Sequence, residues 1–263
     1  MKPVIDHIVV GAAHLDEGCA FIEETCGVTV PFGGIHEQFS THNCLMQVGQ
    51  ERYFEIIAAN PDAPAIDRPR WFSLDDALTM RRLAVGPIAL CWVVGVPDIQ
   101  AVIDKSPIPL GMPLSLYRGD LQWKLTVPDD GHLPESGLVP AFIEWPDGVN
   151  PSSRMPALGV TLDRLCLTHP EPQWLEDVFG TLDIEHLADI TGGKRSISFA
   201  CDTPKGKVLL RYSVCFASPI SASYLAGEVL WGRHSQIPVR TCCRDNGCGV
   251  RHISAQALFR AQG

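Results

Sequence analysis

The sequence predicts an α+β chain assembled from β-α-β-β-β units, two of them full and a third partial. Three observations predict it. Of 263 residues, 46% are apolar and 19% charged, a composition that buries a core rather than staying disordered. The N-terminal stretch reads as a strand, an amphipathic helix and three more strands. That order then starts again at "PIALCWVVG", a strand with the same Val-Val-Gly ending as the first, "VIDHIVVG".

The elements follow in order. In "VIDHIVV" the residues Val4, Ile5, Ile8, Val9 and Val10 make a strand buried on both faces. "HLDEGCAFIEETCG" carries an apolar helical stripe at Leu15, Cys19, Phe21 and Ile22, with Asp16, Glu17, Glu23 and Glu24 on the wet side. Asp16 and Glu17 suit the positive end of that helix, and Gly27 suits its stop. "VTVPFGGIHEQFSTHNCLMQVG" and "ERYFEIIAA" supply three strands, with "PFGG" and "VGQER" as turns. The second unit has its strand and helix in "PIALCWVVGVPDIQAVIDKS" and later strands in "LQWKLTVPDD" and "LVPAFIEWPDG". A partial third echo runs from "TLDRLCLTHPEPQWLEDVFG" through "RSISFACDTPKGKVLLRY", where Arg164 answers His7. The Pro-rich, polar segments 60–84 and 145–157 read as connectors. The expected organisation is therefore a paired module over residues 4–150, a partial module over 158–213 packed on the same domain, and an atypical tail over 214–263 that is either poorly ordered or peripheral.

Composition narrows the function classes. A formal charge of −9 with no basic run argues against nucleic acid and anionic membranes and leaves a small molecule as the expected partner. No apolar run is long enough to span a bilayer and no signal-peptide layout opens the chain, so a cytoplasmic location is expected. The ten cysteines then read as thiols, with Cys19, Cys26, Cys44, Cys166 and Cys201 as small buried hydrophobes. In the tail, five arginines stand against Glu228 and Asp245, a formal charge of +3. Cys242, Cys243, Cys248 and His252 invite a zinc reading there, but adjacent cysteines suit a zinc knuckle poorly.

Paired β-α-β-β-β units with a His in the first strand and a Glu in the fourth resemble the vicinal oxygen chelate superfamily, which includes glyoxalase I, extradiol dioxygenases and bleomycin-resistance proteins. More narrowly, "DHIVVGAAHLDEG", "STHNCLMQVG", "YFEIIA", "RPRWFSLDD", "LQWKLTVPDDG" and "PSSRMPALGVTL" are similar to the glyoxalase-like domain family, over roughly residues 4–213. The resemblance implies a curved mixed sheet with helices on its outer face. Its hollow side would enclose a metal held by ligands from the first and fourth strands of each unit.

His7 and Glu55 match the first unit's ligand positions. Alternation puts Ile5, His7 and Val9 on one face and Tyr53, Glu55 and Ile57 on one face of their strand. A Glu between Phe54 and Ile56 is costly unless paired, protonated or bound to a cation, so either a metal or a buried His–Glu contact explains the pair. His42 would complete a two-His, one-carboxylate set, or would orient a substrate together with Asn43. The alternative is a turn made by Ser40, Thr41 and Asn43 and capped by His42, and His36 reads as structural rather than functional. In the second unit Cys91 stands at His7's position, where the family pattern has His or Gln, and Glu144 stands opposite Glu55's position. Arg164 removes the third unit from metal binding. Arg70, Trp71, Arg118 and Trp123 are candidates for a mouth that receives an anionic, partly planar ligand.

The leading expectation is a metal-assisted lyase or isomerase acting on a small carbonyl or vicinal-oxygen substrate, with a divalent Zn, Mn, Ni or Fe ion as Lewis acid and Glu55 or Glu144 as base. The alternatives are a metal-free sequestering protein of the bleomycin-resistance kind and an Fe(II) ring-cleaving dioxygenase. Units can pair within one chain or between two, which leaves a homodimer open.

Overall fold

The computed structural model describes residues 2–146 and 150–213. The tail and its Cys242–His252 cluster lie outside the described residues. Residues Val4–Gly11 form β1, Leu15–Cys26 α1, Phe32–His36 β2, Thr41–Gln47 β3 and Tyr53–Ala59 β4. After a connector that contains α2 (Ala77–Leu83), the order repeats as β5 (Ile88–Gly95), α3 (Ile99–Lys105), β6 (Met112–Arg118), β7 (Leu121–Val127) and β8 (Ala141–Glu144). The third unit comprises β9 (Thr161–His169), α4 (Pro172–Leu182), β10 (Asp189–Gly192), β11 (Ser196–Thr203) and β12 (Gly206–Ser213).

The helix ends follow from local chemistry. α1 has Asp16 and Glu17 in its first turn and stops at Gly27, whose φ of 79° lets its N–H return to the Glu23 carbonyl. α3 starts where the Asp98 carboxylate accepts the Ala101 N–H, and α2 where Asp76 accepts those of Leu78 and Thr79.

The first two units share one eight-stranded sheet in the order β2-β3-β4-β1-β5-β8-β7-β6. In each, the last strand lies parallel to the first, and the units join through antiparallel β1 and β5. The sheet therefore reads the same from either end. The third unit departs from this plan. Its element order is complete rather than partial, but its four-stranded sheet runs β10-β9-β11-β12, so the strand after the helix, not the last strand, lies parallel to the first. Repetition of element order there is not repetition of pairing.

Apolar residues fill both sides of the large sheet. On the outer side Ile8, Val10, Phe54, Ile56, Trp92 and Val94 pack with α1, α4 and the second sheet through Ile22, Phe179 and Phe199. On the inner side Val9, Ile57, Cys91, Val93, Leu125 and Ile143 pack beneath Trp71 and Phe72. The segment expected to be a plain connector, 60–84, thus brings two aromatic side chains into the hollow. "PFGG" is not a turn: it lies in and beside edge strand β2, where a Cβ on Gly33 would fall 2.5 Å from both Asn43 Oδ1 and Leu45 Cγ.

One irregularity matters most. Ile5 pairs with Val94 and His7 with Val93, so Asp6 is an extra residue in β1. This β-bulge shifts the strand's phase. Ile5 joins the outer core, contrary to simple alternation, and Asp6 turns inward beside His7.

Among the described residues no helix is long and apolar enough to cross a membrane. Phe179 is fully buried and meets Trp92 at a ring separation of 5.8 Å, tying α4 to the large sheet. Phe179→Ala should cost about 3–5 kcal/mol of stability, read from urea unfolding.

Candidate active site

The hollow of the large sheet holds a cavity of about 30 Å³ lined by His7, His36, Asn43, Tyr53, Glu55, Trp71, Arg118, Trp123 and Trp145, among others. β1 and β4 are parallel neighbours, so period-two alternation carries His7 and Glu55 to the same side, as the sequence predicts. Both residues are 4% exposed. His7 Nε2 stands 3.6 Å from Glu55 Oε2, while His7 Nδ1 is 2.7 Å from Asp6 Oδ1. The Asp6 carboxylate accepts only, so this contact places a proton on Nδ1 and aims Nε2 at the hollow.

Asp6 itself is 2% exposed, and its other oxygen is fully engaged. Oδ2 accepts the indole N–H of Trp145 at 2.8 Å and the side-chain amide of Asn150 at 2.5 Å. Tyr53 stacks on the His7 ring at 4.3 Å and 16°, which fixes the imidazole plane. Burial first, and then the nearby Asp6 and Glu55, raise the Tyr53 hydroxyl well above its usual value, so it stays a phenol.

Glu55 Oε1 accepts the Asn43 amide at 2.6 Å. Across the hollow, Arg118 at the end of β6 extends Nη1 to 3.4 Å from both Asn43 Oδ1 and His36 Nε2. The two edges of the sheet thereby meet at the mouth. Gly34 makes the approach feasible: its φ is +151°, and a Cβ there would sit 3.1 Å from Arg118 Cδ. Desolvation, then Arg118, His7 and His42, lower His36 to about 3, so its ring is neutral at ordinary pH and can accept from Arg118. His36 Nδ1 lies 3.2 Å from Thr41 Oγ1, and Trp71 meets the ring edge-on at 4.8 Å.

Other candidates go elsewhere. His42 does not reach His7 and Glu55. On β3, Asn43 and Leu45 face the cavity, so His42 shares the opposite face with Cys44 and Met46 of the outer core. Its Nε2 is buried without a hydrogen-bond partner. Glu144 is also turned away, since its neighbour Ile143 faces inward; it accepts the Ile99 N–H at 2.8 Å and Lys124 Nζ at 2.6 Å, anchoring α3. Cys91 is buried beneath the cavity, opposite Val9, and burial followed by the Glu55 charge raises its thiol, which suits a neutral core group. Arg70 is occupied by Asp75 and the Ser40 carbonyl rather than the cavity. Arg164 pairs at 3.6 Å with Asp189. Trp71, Trp123, Asn43 and Arg118 do line the hollow.

The family resemblance implies a metal, and the donor set tests it. His7 Nε2 and Glu55 Oε2 are spaced as two ligands of one ion, but among the described residues no group of three His, Cys, Asp or Glu is arranged to hold a metal ion, and Asp6 is spent on Nδ1 of the same imidazole. His42 and Glu144 face the wrong way, Cys91 is packed beneath the cavity as a neutral thiol, and a guanidinium stands across the hollow instead. The residues do not fit a resident metal.

Residues 5–181 match the family model for a glyoxalase-like domain, about two thirds of the chain. The chain belongs to the glyoxalase-like domain family. Among solved structures, this glyoxalase-like protein is similar to a hypothetical protein from Staphylococcus aureus, at 14% identity over 81% of this chain and 86% of that one, with a TM-score of 0.47. It is similar to a 4-hydroxymandelate synthase mutant from Streptomyces coelicolor at 12% identity, over 80% and 62%, with a TM-score of 0.41. It is also similar to methylmalonyl-CoA epimerase from Mycobacterium tuberculosis at 16% identity, over 54% and 88%, with a TM-score of 0.37. No curated protein matches the chain.

Sequence reasoning missed Asp6, Trp145 and Asn150. The adjacent acid and imidazole of "IDHI" were the available signal for Asp6. The other two reach it from more than 130 positions away, beyond any local pattern.

The His36 shift makes a prediction. A ring kept neutral when folded and free to protonate when unfolded makes the unfolded chain the better proton binder. Its contribution is present above the ordinary value of 6.5 and is lost as pH falls toward about 3. His36→Gln should flatten the acid side of the stability–pH profile by up to one proton, measured by urea unfolding across that window.

Proposed function

We propose that this glyoxalase-like domain catalyses metal-independent proton transfer beside the carbonyl of a small, carboxylate-bearing substrate, a reaction of isomerase or lyase type. The observation that carries the reading is the buried Asp6–His7···Glu55 line facing Arg118 across one small hollow.

His7 is the base in this reading. Its Nε2 takes the proton from the carbon next to the carbonyl, and Asp6 at Nδ1 stabilises the imidazolium that forms. Glu55, tethered by Asn43, adds negative charge on the other side of the ring. The electron pair left on carbon delocalises onto the carbonyl oxygen. Arg118 binds the substrate carboxylate through its planar fork and offsets the charge that develops next to it. Delivery of the proton to a neighbouring carbon gives an isomer, and loss of a neighbouring group gives a lyase product.

Size supports a small substrate. A cavity of about 30 Å³ favours a short substrate, and a bulky one would have to displace Trp71 or Trp123. The apolar walls exclude bulk water and strengthen the electrostatics inside.

Full-length protein in D₂O with a panel of short α-oxo and α-hydroxy acids, followed by proton NMR, tests the reading. It should catalyse exchange of the protons beside the carbonyl at a rate unchanged by a chelator. His7→Gln should slow exchange by about 10²–10⁴-fold, and Arg118→Ala should chiefly raise KM. Binding without exchange would make the domain a sequestering protein, and exchange that survives His7→Gln would remove the imidazole as base.

A further inference from the structure

On the outer face of the sheet, Cys19 of α1 and Cys44 of β3 bring their sulfurs to 2.9 Å. That is closer than unbonded sulfurs usually pack, and less than 1 Å beyond a disulfide bond of about 2.04 Å. The approach is built into the fold. Gly18 lets the helix backbone press on the sheet, since a Cβ there would fall 2.6 Å from Ile56 Cγ2 and 2.9 Å from Ala12 Cβ. Cys44 is buried, whereas Cys19 is only half-buried.

We infer that Cys19 and Cys44 form an oxidation site, a dithiol that a peroxide converts to a disulfide joining α1 to β3. The Cys19 thiolate attacks one peroxide oxygen. A sulfur–oxygen bond forms, the O–O bond breaks, and the departing oxygen leaves as water. The Cys44 sulfur then attacks the sulfenic acid sulfur, the S–S bond forms, and hydroxide leaves and takes up the Cys44 proton. In total two thiols lose two electrons to one peroxide, giving one disulfide and two waters.

Charge assigns the order of attack. The hydrogen bond between the two thiols lowers Cys19 below the usual thiol value and, together with burial, raises Cys44 above it. The less buried sulfur is therefore also the better anion. The crosslink would pin the strand that carries Asn43, the residue next to Cys44, against the helix. The site stands independently of any role for His7.

The test uses the full chain, reduced, desalted and treated with one equivalent of hydrogen peroxide. The remaining thiols are then alkylated and the protein is digested after Glu. Trypsin is unsuitable, because no Lys or Arg falls between Lys2 and Arg52; cleavage after Glu places Cys19 in 18–23, Cys26 in 25–37 and Cys44 in 38–51. We expect peptides 18–23 and 38–51 joined, with the loss of two hydrogens, and separated by dithiothreitol. The oxidised protein should melt several degrees higher, and Cys19→Ser should abolish both changes. Separately alkylated Cys19 and Cys44, a sulfinic acid at Cys19, or a bridge between other cysteines would overturn the inference. Peptide mapping of the unmutated chain decides this even if a variant folds poorly.

Discussion

The hydrogen bond between Asp6 and His7 organises this molecule's interior. A carboxylate and an imidazole side by side in a buried strand would ordinarily point to opposite faces. The extra residue in β1 turns them to the same one, and the cost of burying that carboxylate explains the surroundings. An indole and an amide from beyond β8 saturate the outer oxygen of Asp6, and the other oxygen holds the imidazole. A hydrogen bond to a buried charged group contributes about 1.5–3 kcal/mol, so Trp145 and Asn150 fasten the chain beyond β8 to β1.

The two halves of the sheet divide the work. The first unit contributes His7 from central β1, Glu55 from β4 beside it and Asn43 from β3 beyond that. The second contributes a cation at the end of an edge strand, where the fold brings its β6 to the first unit's β2. A pair of similar modules thus becomes chemically unequal: acids and imidazole on one side, guanidinium on the other. The Trp71–Phe72 segment closes the space between them and keeps the hollow small.

Much of this was legible in the residues. The alternation of β1 and β4 brought out His7 and Glu55, because burial in a regular strand has a period of two. On β3 the residue that would complete a ligand set by its type, His42, is not the one that faces the cavity. His42 and Asn43 are neighbours, so one of them must face away, and only the pairing of Cys44 with Ile56 in the outer core reveals which. Glu144 fails for the same reason, since Ile143 takes the inward position. The bulge at Asp6 leaves no local mark beyond a charged residue in an apolar strand. The third unit shows the complementary limit: its order of elements is visible in the sequence, but strand pairing is a long-range choice that element order does not determine.

The central claim is that the hollow is built around an imidazole, two carboxylates and a guanidinium rather than around a metal ion. Elemental analysis of the full chain purified without chelator and without oxygen tests it most directly. Far less than one equivalent of zinc, manganese, nickel or iron is expected, with no change in whatever trace is present when His7 is replaced by Ala. One equivalent of a divalent metal that disappears with His7→Ala would contradict it.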